Sequence, residues 1–523
     1  MAGFPILSTI IFLPIFAVLI ILLLPKRLKT SIKTISLVAF LLQTILILFI
    51  ISKFDFNLSG VIKLEEFQFV EKVDWITVSN SAQLNLNFKI EYFLGVDGIS
   101  IVMLLLSGII FPISVAASWN IDKSPKGYFL MLNLLNSGVM GTFVALDLFL
   151  FFIFWEIMLL PMYFLIGLWG GERKEYAAIK FFLYTLFGGI LLLLTIILLA
   201  LSSSIIADGI SYKTFNLIYL MDQNNYIKNG YLSILNSNHI RLLAFAALFV
   251  AFAIKLPIFP FHTWLPDAHV EAPTPISVIL AGILLKLGGY GFIRILYPLF
   301  PEYSKEFAFY IAMLGSINVI YGALCALAQT DFKKLIAYSS ISHMGYVMFG
   351  LASLDQVGVL GSVMQMFNHG IITSMLFLIV GIVYDRIHTR EIAKFGGLAL
   401  KAPIYTGFVT IAFFAAIGLP GLSAFISEAF CYLGAFNNSD TRLFGAISLS
   451  GVALAAGYML WTLQRIFFGK LKDNLEDFQD LTNREIAMLI PLSFLVILFG
   501  IYPSLLIQML NNSINFFVIF ISN

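Results

Sequence analysis

Apolar residues in this chain come in long, nearly unbroken blocks. They show neither the strict alternation of a half-buried strand nor the one-sided stripe of a surface helix. About fourteen such blocks run over residues 4–24, 34–52, 95–118, 128–146, 148–168, 177–203, 241–261, 271–297, 307–328, 335–354, 358–384, 401–435, 441–468 and 486–511. Each is near the roughly 20 residues that a helix needs to cross a bilayer. The block at 401–435 is too long for one straight span and contains Leu419-Pro420-Gly421. Proline lacks a donor N–H and clashes with the preceding turn, so this block predicts a broken helix.

Composition narrows the class further. Of the 523 residues, 60% are hydrophobic and only 11% are charged, against about 25% charged in soluble domains. The pattern predicts an all-α polytopic membrane protein embedded in a lipid bilayer. The first block, Phe4–Leu24, lacks a basic start and a small-residue cleavage site, and reads as a retained span rather than a cleaved signal. A net charge of +2 with no basic stripe gives no support for a nucleic-acid partner. The two cysteines, Cys325 and Cys431, lie in separate apolar runs and read as small core residues.

Loop charges set an orientation. Alternate loops are rich in Lys and Arg, for example Lys26, Arg27, Lys29 and Lys33, then Lys333 and Lys334, then Arg386, Arg390, Lys394 and Lys401. By the positive-inside rule these loops face the cytoplasm. Both termini then face the other side, which requires an even number of spans.

Several charges fall inside the apolar blocks, where each costs roughly 2.5–3.5 kcal/mol on insertion scales. Lys255 precedes Leu256-Pro257, where Pro257 and Pro260 free the carbonyls of Ala253 and Leu256 to meet water or a polar partner. Lys286 lies about fifteen residues into its block, roughly 22 Å along a helix, too deep to snorkel, with Gly282 one turn earlier. Glu156 sits in LFLFFIFWEIMLLPMYFL, and Glu428 follows the second break by about two turns. A buried Glu beside a Lys is able to exist as an ion pair or as two neutral groups, which is a proton switch. His343 and His369 lie within spans and titrate near neutral pH, as proton relays do. The alternatives are a packing kink with Lys255 snorkelling, structural ion pairs for the Lys and Glu, and hydrogen-bonded core roles for the histidines. His262 and His269, flanking Trp264-Leu265-Pro266-Asp267, read as local hydrogen-bond formers; Asp97 reads as a helix-start residue, and Lys180 and Tyr184 as interface anchors.

A weak internal echo relates Ala253-Ile254-Lys255-Leu256-Pro257 to Ala416-Ile417-Gly418-Leu419-Pro420, five spans apart. An odd offset reverses helix direction, so repeats on that period are inverted, as in many transporters. No Walker loop, dinucleotide fingerprint or cysteine cluster is present in the sequence, so redox chemistry and ATP hydrolysis are expected in other subunits.

The stretch KLPIFPFHTWLPDAHVEAPTPISVILAGILLKLGGYG resembles the signature region of the antiporter-like membrane subunits of respiratory complex I, and among them the M type. GVDGIS, FFIFWEIMLLPMYFLIGLWGG, FKKLIAYSSISHMGY and GLPGLSAFISE carry the same likeness, which runs through roughly residues 90–470. The resemblance implies fourteen helices with two inverted five-helix repeats, each with a broken helix. The implied divisions are 1–127 for the N-terminal helices and loop, 128–297 and 307–468 for the repeats, and 469–523 for the C-terminal loop and last helix. It implies that Glu156 modulates Lys255, that Lys286 is the central connecting lysine, that His343 and His369 are relay histidines, and that Glu428 is the acid of the second broken helix. A glutamate at the last position marks the M type, since L- and N-type relatives usually carry lysine. The chain departs at Pro275-Ile276, where relatives often have two small residues; none of the named charges is affected.

The implied function is a proton-translocating, non-redox subunit of NADH:quinone oxidoreductase, with no cofactor in this subunit. Its partners would be other membrane-arm subunits, especially two neighbouring antiporter-like ones. The alternatives are a subunit of a multi-subunit cation/proton antiporter or of a hydrogenase-linked complex. A pure scaffold has no reason to bear four buried charges. Richness in Phe, Ile, Lys and Asn indicates an AT-rich genome; a bacterial inner membrane is the expected location, an organellar inner membrane the alternative.

Overall fold

A computed structural model describes residues 4–61, 63–78, 87–203, 205–207, 210–222, 225 and 238–522. Among them, fourteen helices are long and apolar enough to cross a membrane. The first is Ile6–Leu23 and the last Ser504–Ser522. The protein is a multi-pass membrane protein.

Several spans begin where an Asp caps exposed helix N–H groups. Asp97 accepts from Ser100 N at 2.8 Å, Asp147 from Phe149 N at 2.9 Å, Asp331 from Lys334 N at 2.9 Å and Asp355 from Val357 N at 2.9 Å.

Two breaks interrupt the bundle. Asn238–Lys255 ends at Lys255, and a turn leads to the short helix Trp264–Glu271. Pro403–Ile417 ends at Gly418, with φ +79, and Ser423–Asn437 resumes. The apolar hearts of Thr274–Leu299 and Gln356–Ile387 are wholly buried, so these two helices form the bundle's central pair. A Cβ on Gly282 would touch Ser374 Oγ and come within 3.4 Å of Gly370 O. Gly282 thus lets the partner helix approach closely one turn before Lys286.

The carboxyl end differs from the expected single span at 486–511. Helix Asn483–Ile501 stops before Pro503, and Ser504–Ser522 starts anew. Within this second helix, Gln356 donates to Asn511 Oδ1, Asn512 to Phe56 O and Ser513 to Ser59 O, while Lys305 donates to Ser522 O. All four partners belong to the face away from the basic loops, so the helix lies across that face despite its apolar length. Pro503 ends one helix because it cannot continue the ladder. Asn511, Asn512 and Ser513 then find partners that lipid does not supply. Counting the broken Pro403–Asn437 pair as one crossing, the number of crossings stays at fourteen, as the loop charges require.

The expected all-α membrane fold holds, and a small sheet outside the spans is added to it. The long polar segments form a four-stranded sheet of β1 (Gln68–Val78), β2 (Phe88–Val96), β3 (Ile205–Ala207) and β4 (Ile210–Thr214), in the order β1-β2-β4-β3. β1 pairs antiparallel with β2, β2 parallel with β4 and β4 antiparallel with β3. Glu71 of β1 accepts from Leu7 N at 2.7 Å, which seats the first helix on this sheet.

At the same end, Arg294 and Asp97 form a fully buried ion pair. Arg294 also donates to Tyr290 Oη at 3.2 Å, and its guanidinium lies over the Phe67 and Tyr290 rings. Removing one partner of a buried pair leaves a stranded charge, at a cost of about 3–5 kcal/mol. Arg294→Met is expected to destabilise the protein by that amount in thermal unfolding of the purified complex. The double variant Asp97→Asn/Arg294→Met is expected to regain most of the loss; a double variant as unstable as the single one would show that the pair itself does not matter.

Candidate functional site

The first break brings Lys255 to a helix end. Its ammonium lies 5.0 Å from the centre of the Trp155 ring, and the residue is 3% exposed. The backbone groups freed by Pro257 meet protein partners. Ala253 O accepts from Ile258 N at 2.9 Å, Ile254 O from the Trp264 indole at 2.9 Å, and Pro257 O from Asn318 at 3.2 Å. Asn318 also accepts from Phe259 N at 2.7 Å. Of the water or polar partner expected at the Ala253 carbonyl, the structure supplies a polar partner, and Asn318 of helix Ala308–Leu327 ties the break to the following bundle.

Glu156 stands near enough to Lys255 for their charges to act on one another, yet outside direct ion-pair contact. Its carboxylate occupies the space that a Cβ on Gly189 would take. Glycine on helix Lys174–Ser202 therefore gives Glu156 its place.

Lys286 is fully buried and reaches two partners: the Ala281 carbonyl, and His369 Nδ1 at 2.8 Å. Ala281 lies in a π-helical turn, Leu280–Leu284, and a second one spans Phe292–Leu296. A π-turn leaves carbonyls without their usual i+4 partner and often marks a functional site. Here it supplies the acceptor that a buried ammonium needs.

His369 and His343 approach each other with ring centroids 5.5 Å apart. His343 Nδ1 lies 3.2 Å from Glu428 Oε1. Gln365, one turn before His369, donates to Glu428 Oε1 at 3.4 Å and accepts from Ser427 Oγ at 2.5 Å. Lys286, His369, His343 and Glu428 form one buried polar line that starts on the two central helices and continues through Phe332–Ala352 to Ser423–Asn437. Glu156 and Lys255 stand apart from it on the first half.

Other sequence expectations fare differently. His262 does form a hydrogen bond, but to a distant helix rather than locally, with Tyr321 Oη at 3.3 Å. His269 has no partner on either ring nitrogen among the described residues, contrary to expectation. Lys180 is more than an interface anchor, since it binds Asp267 at 2.7 Å and ties helix Lys174–Ser202 to Trp264–Glu271. Asp97 caps its helix as expected and also carries the unforeseen pair with Arg294. The signal for Arg294 was present, since an arginine inside an apolar block calls for a partner. Gln365 and Asn318 gave none: their roles come from contacts across helices.

A family model described as "NADH:quinone oxidoreductase/Mrp antiporter, TM" matches residues 145–455. NADH-quinone oxidoreductase subunit M of Rickettsia bellii is 41% identical over 521 residues, covering 98% of each chain. The chain belongs to this family, among its M-type members. NADH-quinone oxidoreductase subunit M of Rhodobacter capsulatus is 39% identical, covering 97% of this chain and 95% of that one. Among solved structures, a chain of respiratory complex I from Thermus thermophilus with bound NADH superposes with a TM-score of 0.81 at 27% identity, covering 99% of this chain and 100% of that one. A chain of the Mrp complex from Dietzia sp. shares the fold, with a TM-score of 0.78 at 18% identity over 97% of both chains. The M-type placement inferred from Glu428 and the surrounding motifs therefore agrees with full-length similarity. Lys286 and His369 fall on the two helices that the bundle buries most completely.

Proposed function

We propose that this chain is a proton-translocating membrane-arm subunit of an NADH:quinone oxidoreductase, seated in a bacterial inner membrane between two other antiporter-like subunits. The observation that carries the reading is the buried line Lys286–His369–His343–Glu428, with a 2.8 Å contact at one end and a 3.2 Å contact at the other. Full-length similarity to M subunits supports the complex. The relation between the halves 128–297 and 307–468 is that of inverted repeats, each opened by its broken helix. Glu156 and Lys255 act as an electrostatic switch beside Lys286. His369 and His343 pass the proton on, and Glu428 delivers it toward the non-cytoplasmic side. Electrons and quinone are handled by other subunits, so this one needs no cofactor of its own.

Glu428→Gln is expected to lower NADH-driven pumping by at least about tenfold, within the range for a lost proton-transfer group. Glu428→Asp keeps the charge on a shorter arm and is expected to retain part. Wild-type pumping by both variants in assembled complexes would remove Glu428 from the path. Mass spectrometry of proteins that co-purify with the tagged chain separates the alternatives. NADH-binding and iron–sulfur subunits are expected; a set of cation/proton antiporter subunits alone would overturn the assignment.

A further inference from the structure

A cavity of about 530 Å³ opens between the two halves at the basic-loop end of the bundle. Arg173, Glu271, Asp331, Lys333, His388 and Arg390 line it, so its wall is charged and wettable. Its walls come from the loop around Gly170, the end of helix Trp264–Glu271, the start of Phe332–Ala352 and the segment after Gln356–Ile387.

Lys333 forms the inner wall and is 4% exposed. Its ammonium donates to Ala272 O at 2.5 Å, and Arg390 donates to Val270 O at 2.6 Å. Two cations from the second half thus cap the carbonyl end of Trp264–Glu271, the favourable end for positive charge. That capping role accounts for Arg390 and for part of Lys333.

It does not account for His269 on the same short helix. His269 is fully buried, and neither ring nitrogen has a hydrogen-bond partner among the described residues. Its ring stacks on Phe377 at 4.5 Å. Phe377 is eight residues past His369, on the same face of the same helix. Lys333 caps the carbonyls of Val270 and Ala272, just past His269 in the chain, at 3.5 and 2.5 Å, and both it and Lys286 are close enough for their charges to act on the ring. A packing role alone would be met better by Leu or Phe, which bury no unpaired polar atoms. A native group left in this state calls for a reason, and proton transfer is one.

We infer that Lys333 and His269 form a cytoplasmic proton inlet between the two halves, feeding Lys286 without passing through Lys255. This rests on the proton-translocation reading above. When Lys286 has given its proton to His369, its neutral amine takes one from a ring nitrogen of His269, where the N–H bond breaks. The other ring nitrogen takes a proton from the Lys333 ammonium, and Lys333 regains one from water in the cavity. The two transfers are concerted, one proton has moved from the cytoplasmic side to Lys286, and His269 is left as its other tautomer, which a flip of the ring against Phe377 restores. Glu156 and Lys255 set the charge beside this path rather than conduct along it.

The test compares assembled complexes in inside-out vesicles by protons pumped per quinone reduced. His269→Leu is expected to lower pumping about a hundredfold, the lower end of what a positioned acid–base group contributes. His269→Ala leaves a void next to Val270 and Ala272, which line the cavity, and is expected to fall similarly and to recover when free imidazole is added. Wild-type pumping by His269→Leu beside a defective Lys286→Ala overturns the inlet and leaves the proposed function standing. An assembled His269→Ala that imidazole does not rescue overturns it too, as a packing role. Wild-type pumping by Lys286→Ala overturns both. If His269 variants do not assemble, Thr389→Cys at the cavity wall, in a Cys325→Ser background, decides. Labelling it with a bulky thiol reagent should block pumping, and unchanged pumping by the labelled complex overturns the inlet.

Discussion

Lys286→Ala is expected to lose NADH-driven proton pumping by about a hundredfold or more, the scale at which a positioned acid–base group contributes. The complex should still assemble, because the side chain's partners are one carbonyl and one histidine. Lys286→Arg is expected to fail as well. A guanidinium stays protonated and has no lone pair with which to exchange a proton with His369. Its planar fork also does not reproduce the single-point contacts to Ala281 O and His369 Nδ1 in a fully buried site. Fluorescence quenching of a pH-sensitive dye in vesicles, with a native gel for assembly, reads both variants. Wild-type pumping by Lys286→Arg would make Lys286 a structural cation.

Glu156→Gln is expected to lower NADH-driven quinone reduction in membranes by about tenfold or more while assembly is kept. The magnitude follows from the geometry. Direct contact at about 4 Å, with an effective dielectric near 20, would be worth roughly 4 kcal/mol. Glu156 and Lys255 stand beyond that contact, so their attraction is weaker. Moving a proton against about 150 mV costs roughly 3.5 kcal/mol. The pair is thus strong enough to bias proton transfer and too weak to lock it. Losing even about 1.4 kcal/mol of that bias is a tenfold change in rate. Normal coupled turnover in assembled Glu156→Gln complexes would sink the switch.

The sequence by itself determined the number and placement of the spans, because about twenty consecutive apolar residues have few alternatives to a membrane helix. It also determined both break points, since Pro257 and Pro420 forbid a regular ladder, and the buried charges, since each departs from an apolar background. Asp97 marked a helix start for the same local reason.

What the tertiary structure alone decided depends on contacts between distant segments. Lys286 could be named from sequence, but only the close approach of Gly282 and Gly370 puts it against His369. Asn318 meets the first break from 61 residues away, and Gln365 meets Glu428 from 63; no local pattern encodes either distance. The helix Ser504–Ser522 is apolar enough to span, and only its bonds to Phe56, Ser59, Lys305 and Gln356 place it on one face. The sheet is completed by the pairing of β2 with β4, whose partners, such as Phe88 and Lys213, lie more than a hundred residues apart. Hydropathy is a sum over neighbours in the chain and fixes where the membrane is crossed. Which polar groups meet inside it is fixed by how the helices pack.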